Sequence, residues 1–290
     1  KSFKNQKLPI VTKFSLSGIS NVDAIFTALP HGETQLISNI INKNTILIDL
    51  SADFRLEDKK VFQKYYKVRH KAFLNQKKAV YGLSEINRLK ISNANIISCP
   101  GCYPTSVLLP LIPLIKNKMI NPETIKIDSK SGYSGAGKKI YDKKIYTNNI
   151  FENIGIYGIA NHRHLPEIDQ ELSKFSNKKI KVSFTPHIIP TFRGIISTIY
   201  VDLAKNTNYE KIYKLLFTFY KKDKFVNVFK DGHLLNTDEV VNTNKCHIAI
   251  YKNRFKKQLI IASCIDNLIK GAAGQAIQNF NIRYKFKENL

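Results

Sequence analysis

The stretch best equipped for chemistry is Cys99-Pro100-Gly101-Cys102-Tyr103-Pro104-Thr105. A short apolar strand runs into a Pro-Gly turn there, and a helix starts near Tyr103 or Pro104, where proline is favoured in the first turn. Cys102 thus falls at a helix N-terminus, where the dipole and free N–H groups favour a thiolate. That is a place for a covalent nucleophile. Two blander roles compete with it. A small cysteine can simply fill a turn, and Cys99-x-x-Cys102 has the spacing of a redox dithiol or half a zinc site. Structural zinc takes four ligands, whereas Cys246 and Cys264 stand alone, so no metal is expected.

A second candidate is Asn161-His162-Arg163-His164-Leu165-Pro166-Glu167-Ile168. Residues preceding proline favour extended backbone. An extended chain up to Pro166 puts His162 and His164 on one face and Arg163 on the other. Paired with a nucleophilic cysteine, two imidazoles on one face suit general acid–base work. The alternative is a pair of surface histidines with no task. The third candidate is Ser131-Gly132-Tyr133-Ser134-Gly135-Ala136-Gly137-Lys138. Its glycines let backbone amides approach an anion closely. Such turns are common, and the spacing is not that of a P-loop.

Alternating strands and helices are needed to carry the first of these sites. Val22 to Leu29, Thr45 to Leu50 and Asn95 to Ser98 read as buried strands, and a helical stretch runs to about Ile41. That alternation indicates a parallel sheet covered on both faces, with ligands at the carboxyl ends of its strands. After about Thr124 the pattern changes. IKIDSKSG, KIKVSFTPHIIP, GIISTIYVDL, FVNVF, CHIAIY and QLIIASCI all read as strands, with one strong helix, Tyr209 to Tyr220, among the last five. This predicts an α+β unit with a largely antiparallel sheet. Small and apolar residues at helical spacing from Gly271 to Phe280 close the chain. A dinucleotide-binding domain should open on a strand and a glycine-rich turn. The chain begins at Lys1 and offers only Gly18 before Gly32. The expectation is therefore an α/β protein with an incomplete Rossmann-type domain, residues 1–103 and 265–290, lacking its first βαβ unit. A catalytic and dimerisation domain, 104–264, completes it.

Composition narrows the setting. At 290 residues and 43% hydrophobic, the chain can bury two cores, and nothing in it reads as disordered. Its most apolar run, Val107 to Ile115, is broken by Pro110 and Pro113 and is far short of the ~20 residues a bilayer demands. The basic opening, Lys1 to Lys13, has no apolar core of a secretory signal. A cytoplasmic protein is expected. The net charge of +24 could advertise a nucleic-acid partner. Lysines dominate it, scattered as singles and pairs among many Ile and Asn, which is the mark of compositional drift. No nucleic-acid partner is expected, although a basic nucleic-acid module stands as the rival reading. Four cysteines at this length do not make a secreted disulfide framework.

Taken together the phrases resemble the N-acetyl-gamma-glutamyl-phosphate reductases, the arginine-pathway members of the semialdehyde dehydrogenase group. Matching stretches run nearly end to end: ALPHG at 28–32, IDLSADFRL at 48–56, YGLSE at 81–85, PGCYPT at 100–105, SGYSGAGK at 131–138, HRHLPEI at 162–168, PHIIPTFRGIISTIYV at 186–201 and IDNLIKGAAGQAIQN at 265–279. The chain departs from the family at its start, at Ser84, where proline is usual, and at Cys99, where asparagine is usual. The resemblance implies that NADPH reduces a small acyl phosphate, N-acetylglutamyl 5-phosphate, through a thioester on Cys102. Acyl phosphates of aminoadipyl or aspartyl type are the nearest alternatives. His162 maps to the acid–base histidine, with His164 assisting. Arg55 is the candidate for gripping the phosphate, with Glu167 and Arg193 as further substrate contacts. Ser131, Gly132, Ser134, Gly135 and Asn267 are expected along the NADP(H) cofactor. A homodimer or homotetramer follows from the same likeness. Cys99 adds the possibility of a disulfide that silences Cys102.

Overall fold

The computed structural model describes residues 10–136 and 152–288; Gly137 and Lys138 of the third phrase lie outside them. The first half alternates as the apolar runs require: α1 (Leu16–Ile19), β1 (Ala24–Thr27), α2 (Glu33–Ile40), β2 (Ile46–Asp49), α3 (Lys59–Tyr66), α4 (Phe73–Gln76), β3 (Val80–Tyr81), α5 (Ser84–Ile91) and β4 (Ile96–Ser98). The strands form a parallel sheet in the order β1-β2-β4-β3. Every residue of β2 is buried, which is why Ile46 to Ile48 are apolar without alternation. Strand β3, two residues long, is too short to leave a pattern and was not foreseen.

Next come α6 (Cys102–Lys116), β5 (Lys126–Gly132), β6 (Gly155–Ile156), α7 (Leu165–Ser173), β7 (Ser183–Ile189), β8 (Ile195–Asp202), α8 (Tyr209–Tyr220), β9 (Val226–Phe229), β10 (Cys246–Lys252), β11 (Gln258–Ile265) and α9 (Gly274–Tyr284). Seven of these are strands of one mixed sheet, ordered β6-β7-β5-β8-β11-β10-β9. Its pairs are antiparallel except β5 with β7 and β9 with β10. Helix α8 spans the residues its periodicity predicted, started by Asn208, whose side chain accepts from Lys211 N–H.

Helix α6 is buried from Tyr103 through Ile115, so it presents no polar face and sits inside the main core. Three wholly buried hydroxyls lock it to the sheet: Ser106 Oγ lies 2.7 Å from Ser197 Oγ, itself 2.7 Å from Ser129 Oγ. The opposite sheet face carries Ile196, Thr198 and Tyr200 of β8, all at least partly exposed. Between β11 and α9 the chain forms a π-helical turn, Ile269–Ala273, with Gly271 N–H donating to Asp266 O and Ala273 N–H to Leu268 O. Lys270 in this turn is fully buried against Glu85, and its Nζ also donates to Gln278 Oε1 at 2.8 Å. Among the described residues no helix is long and apolar enough to cross a membrane, and no cluster of three metal-ligating side chains occurs.

Candidate active site

The turns that leave β1, β2 and β4 meet at a cleft of about 300 Å³, at the carboxyl ends of the parallel strands. Cys102 lines it as the first residue of α6, slightly earlier than the sequence placed the helix start. The turn that carries it is held from two sides. Gly101 N–H donates to Glu167 Oε1 at 2.8 Å. Gly271 of the π-turn presses on the other side so closely that a Cβ there would lie 2.7 Å from Cys102 Cβ. Burial pushes the Cys102 thiol up, while the Tyr103 N–H and the charges of Arg55 and Arg163 pull it down and Glu167 adds to the rise. The expected thiolate is thus corrected: the helix start does favour it, but desolvation is the larger effect and the resting group is a thiol.

The histidine phrase is not extended. A turn runs straight into α7, with His164 as N-cap in helical conformation and Pro166 in the first turn. Proline tolerates that position because its missing N–H would be unpaired anyway. Ile168 and Leu172, both fully buried, are spaced four apart, and that was the overlooked helix signal. The imidazoles still meet, with ring centres 4.9 Å apart, and His164 N–H donates to His162 Nδ1 at 3.1 Å. Their surroundings differ. His164 lines the cleft beside Cys102, and its buried Nδ1 has no partner among the described residues. His162 is ringed by Tyr103, Tyr157, His164 and Phe184 and does not line the cleft.

Burial, aided by Arg163, pulls His162 down to about 3. Burial also holds His164 well below 6.5, with His162, Arg55 and Arg163 adding to it. Both rings are neutral at physiological pH. Their unfolded counterparts titrate near 6.5, so below that the unfolded chain binds protons that the folded chain refuses. The stability they confer is complete above about pH 6.5 and is lost as pH falls below it, for His162 down to about pH 3, by about 1.4 kcal/mol per pH unit for a ring that stays unprotonated. Urea midpoints should therefore drop between pH 7 and pH 5, and His162→Phe should flatten part of that slope. Identical slopes for variant and wild type would refute the assignment.

Arg55 reaches the cleft but is mostly occupied. Its Nε donates to Cys99 O at 2.8 Å and its Nη2 to Leu50 O at 2.9 Å, tying the ends of β4 and β2 together. Its charge faces Glu167 Oε2 at 3.6 Å. Glu167, expected at the substrate, is wholly buried instead; Tyr81 O–H donates at 2.7 Å to the same Oε1 that accepts the Gly101 N–H. Arg193 does not line the cleft either; it turns toward Asn242 Oδ1 at 3.1 Å and Asp266 Oδ2 at 3.4 Å. Of the five cofactor candidates, Ser134, Gly135 and Asn267 line the cleft, whereas Ser131 and Gly132 are buried and do not. Asn267 accepts Gly194 N–H and donates to Ser134 Oγ at 2.9 Å. Beside the apolar Leu29, Leu268 and Ala272, this polar edge fits the ring and carboxamide of a nicotinamide. All four cysteines are free thiols, and Cys99 is buried with Sγ 3.7 Å from Asn279 Nδ2. Sequence reasoning passed over His31 and Arg163 as cleft residues and Tyr81 as a support. Gly271, read in the sequence only as one of the small residues closing the chain, packs on the nucleophile.

Two family models match the chain: the semialdehyde dehydrogenase NAD binding domain over residues 1–94 and the semialdehyde dehydrogenase dimerisation domain over 102–267. A probable chloroplastic N-acetyl-gamma-glutamyl-phosphate reductase of Arabidopsis thaliana is 44% identical over 283 residues, covering 98% of this chain and 70% of its own length. The N-acetyl-gamma-glutamyl-phosphate reductase of Alkaliphilus metalliredigens is 46% identical over 270 residues, covering 93% of this chain and 78% of its own. Among solved structures, aspartate semialdehyde dehydrogenase II of Vibrio cholerae superposes with a TM-score of 0.69 at 17% identity, over 94% of this chain and 82% of that one, and so shares its fold.

Proposed function

The chain belongs to the N-acetyl-gamma-glutamyl-phosphate reductases of the semialdehyde dehydrogenase family, and from that premise we propose that it reduces N-acetyl-L-glutamyl 5-phosphate to the 5-semialdehyde and phosphate with NADPH, through a thioester on Cys102. The observation that carries this reading is the cleft itself, which a helix-initial thiol and a neutral imidazole, Cys102 and His164, share with Arg55 and Arg163.

Cys102 Sγ attacks the acyl carbon, the bond to phosphate breaks, and a thioester remains. Neutral His164 accepts the thiol proton as the attack begins, which suits a pair that rests as thiol and imidazole. A bound reduced nicotinamide supplies the hydride that the thioester carbon accepts. His164 then returns its proton to the oxygen of the resulting thiohemiacetal, and collapse releases aldehyde and thiol. His162, accepting His164 N–H within its aromatic ring of neighbours, orients its partner. Ser134, Gly135 and Asn267 hold the nicotinamide end, within a cofactor domain of residues 1–103 and 265–290 beside a catalytic unit of 104–264.

A role in arginine synthesis, a cytoplasmic location and a homodimer or homotetramer complete the proposal; the dimerisation-domain match and the uncovered sheet face of β8 support the last. The test runs the reaction backwards, following NADP⁺ reduction with N-acetylglutamate 5-semialdehyde and phosphate. Phosphate-dependent turnover is expected, faster than with NAD⁺ and faster than with aspartate or aminoadipate semialdehyde. Absence of phosphate-dependent turnover in the full-length protein defeats the reading.

A further inference from the structure

Lys270, in the π-turn between β11 and α9, is costly to bury. It is fully enclosed, as is the Glu85 carboxylate that its Nζ meets at 2.5 Å, and two charges taken out of water forfeit much of what their attraction returns. Burial would push the Glu85 carboxyl up, but Lys270 and Gln278 outweigh it and hold the group below its ordinary range, so it faces Nζ ionised. Gln278 of α9 closes the group, accepting from Nζ with Oε1 at 2.8 Å and donating from Nε2 to Glu85 Oε1 at 3.0 Å. Apolar side chains of similar volume would often serve stability as well or better. What they would not do is fix one point of the π-turn to the first turn of α5, where Glu85 stands. Ser84 O–H joins α5 to α9 again by donating to Asn279 Oδ1 at 2.7 Å, so the anchor point is itself firm. Turns of this i→i+5 kind are rare and gather at functional sites.

We propose that Lys270, through its ion pair with Glu85, is a positioning residue that pins the π-turn so that Gly271 holds the Cys102 side chain in place, an inference whose kinetic part rests on the reaction proposed above. Lys270 does not line the cleft and touches no reacting atom; its neighbours on the turn do. Gly271 bears on Cys102 with no room for a Cβ between them, and Leu268 and Ala272 form the apolar wall beside it. A turn free to shift would move the sulfur and that wall together. Attack by the thiol and delivery of a hydride both depend on where these surfaces stand, and a misplacement of about 1 Å can cost on the order of a hundredfold in rate. A buried ion pair suits the task because its attraction and its hydrogen bonds favour one arrangement, whereas methyl contacts tolerate several.

Removing both charges together separates position from stability in the full-length protein. Lys270→Met alone strands the Glu85 carboxylate and should melt well below wild type, whereas Lys270→Met with Glu85→Gln should recover most of that loss. In the double variant kcat for phosphate-dependent NADP⁺ reduction should still fall by about tenfold to a hundredfold, with little change in KM. Alkylation of Cys102 by iodoacetamide should quicken several-fold, because a thiol no longer pressed by Gly271 is more open to the reagent. Cys102 is partly exposed whereas Cys99, Cys246 and Cys264 are buried, so alkylation reports on the nucleophile. A pair with a structural role alone would leave both rates at the wild-type level once the melting temperature is restored. Glu85→Gln by itself keeps an oxygen for Nζ and should move both rates in the same directions, less far; it decides the matter if the double variant does not fold. A folded variant whose Cys102 is alkylated at the wild-type rate would overturn the proposal, whether or not its turnover falls. Alkylation requires no turnover, so a wild type without phosphate-dependent activity defeats the reaction and leaves the role of the turn to be judged on its own.

Discussion

Cys102→Ser is expected to leave the fold intact and to reduce turnover by on the order of 10⁴-fold or more, the scale seen when a covalent nucleophile is removed. A serine hydroxyl fits where the thiol stands against Gly271, so packing survives. The chemistry does not. A hydroxyl loses its proton far less readily than a thiol, and a neutral His164 whose pKa burial holds well below 6.5 is a weak base with which to compensate. An oxygen ester is also a poorer hydride acceptor than a thioester. Initial rates of phosphate-dependent NADP⁺ reduction, set beside thermal melts of the same preparations, check both halves. A serine variant that folds and keeps a tenth of the wild-type rate would remove Cys102 from the mechanism.

Glu167→Ala should produce the largest loss of stability of any single change at the site, about 3–5 kcal/mol, the usual consequence of breaking a buried ion pair from one side. Three buried partners would be stranded at once: Gly101 N–H, Tyr81 O–H and the Arg55 charge. Glu167→Gln retains an acceptor for Gly101 but not the charge, and should fall between wild type and Ala in urea unfolding. The Gln variant also separates support from mere packing. Glu167 raises the Cys102 thiol, so neutralising it should quicken alkylation near neutral pH even while turnover falls. A Glu167→Ala chain within about 0.5 kcal/mol of wild type, the ordinary range for a surface change, would show that the turn before Cys102 is held by something else.

The sequence carried the fold wherever periodicity was strong. Helix α8 and the paired strands β8, β10 and β11 are long enough, and regular enough on their buried faces, to announce themselves. It failed where structure is short or set by tertiary contacts. Strand β3 has two residues, and the first turn of α7 holds a proline that sequence reasoning took for the end of an extended run. For the site, residue type revealed Cys102 and the histidines but not what each side chain was committed to. Nothing in the letters distinguishes Arg55, spent on carbonyls and Glu167, from Arg163, exposed at the cleft. Glu167 was identified as important for the wrong reason, because burial and the Gly101 N–H exist only once β4 and α7 have come together.

The three hydroxyls of Ser106, Ser197 and Ser129 bear on the aim of the nucleophile. Ser106 also donates to Tyr103 O at 2.9 Å, so its one proton is spent there. Ser197 must then donate to Ser106, and Ser129 to Ser197, giving the chain a single sense. Apolar side chains allow a helix to roll or slide by small steps, since one methyl contact substitutes for another. A row of directed hydroxyls does not, and here it acts as a key in a slot that fixes the roll of α6 about its own axis. Cys102 sits one turn before Ser106 on that helix, so the key sets the compass bearing of its sulfur. Such a row is hard to alter one member at a time, because each single loss strands a neighbour, and its replacement would require all three positions to change together.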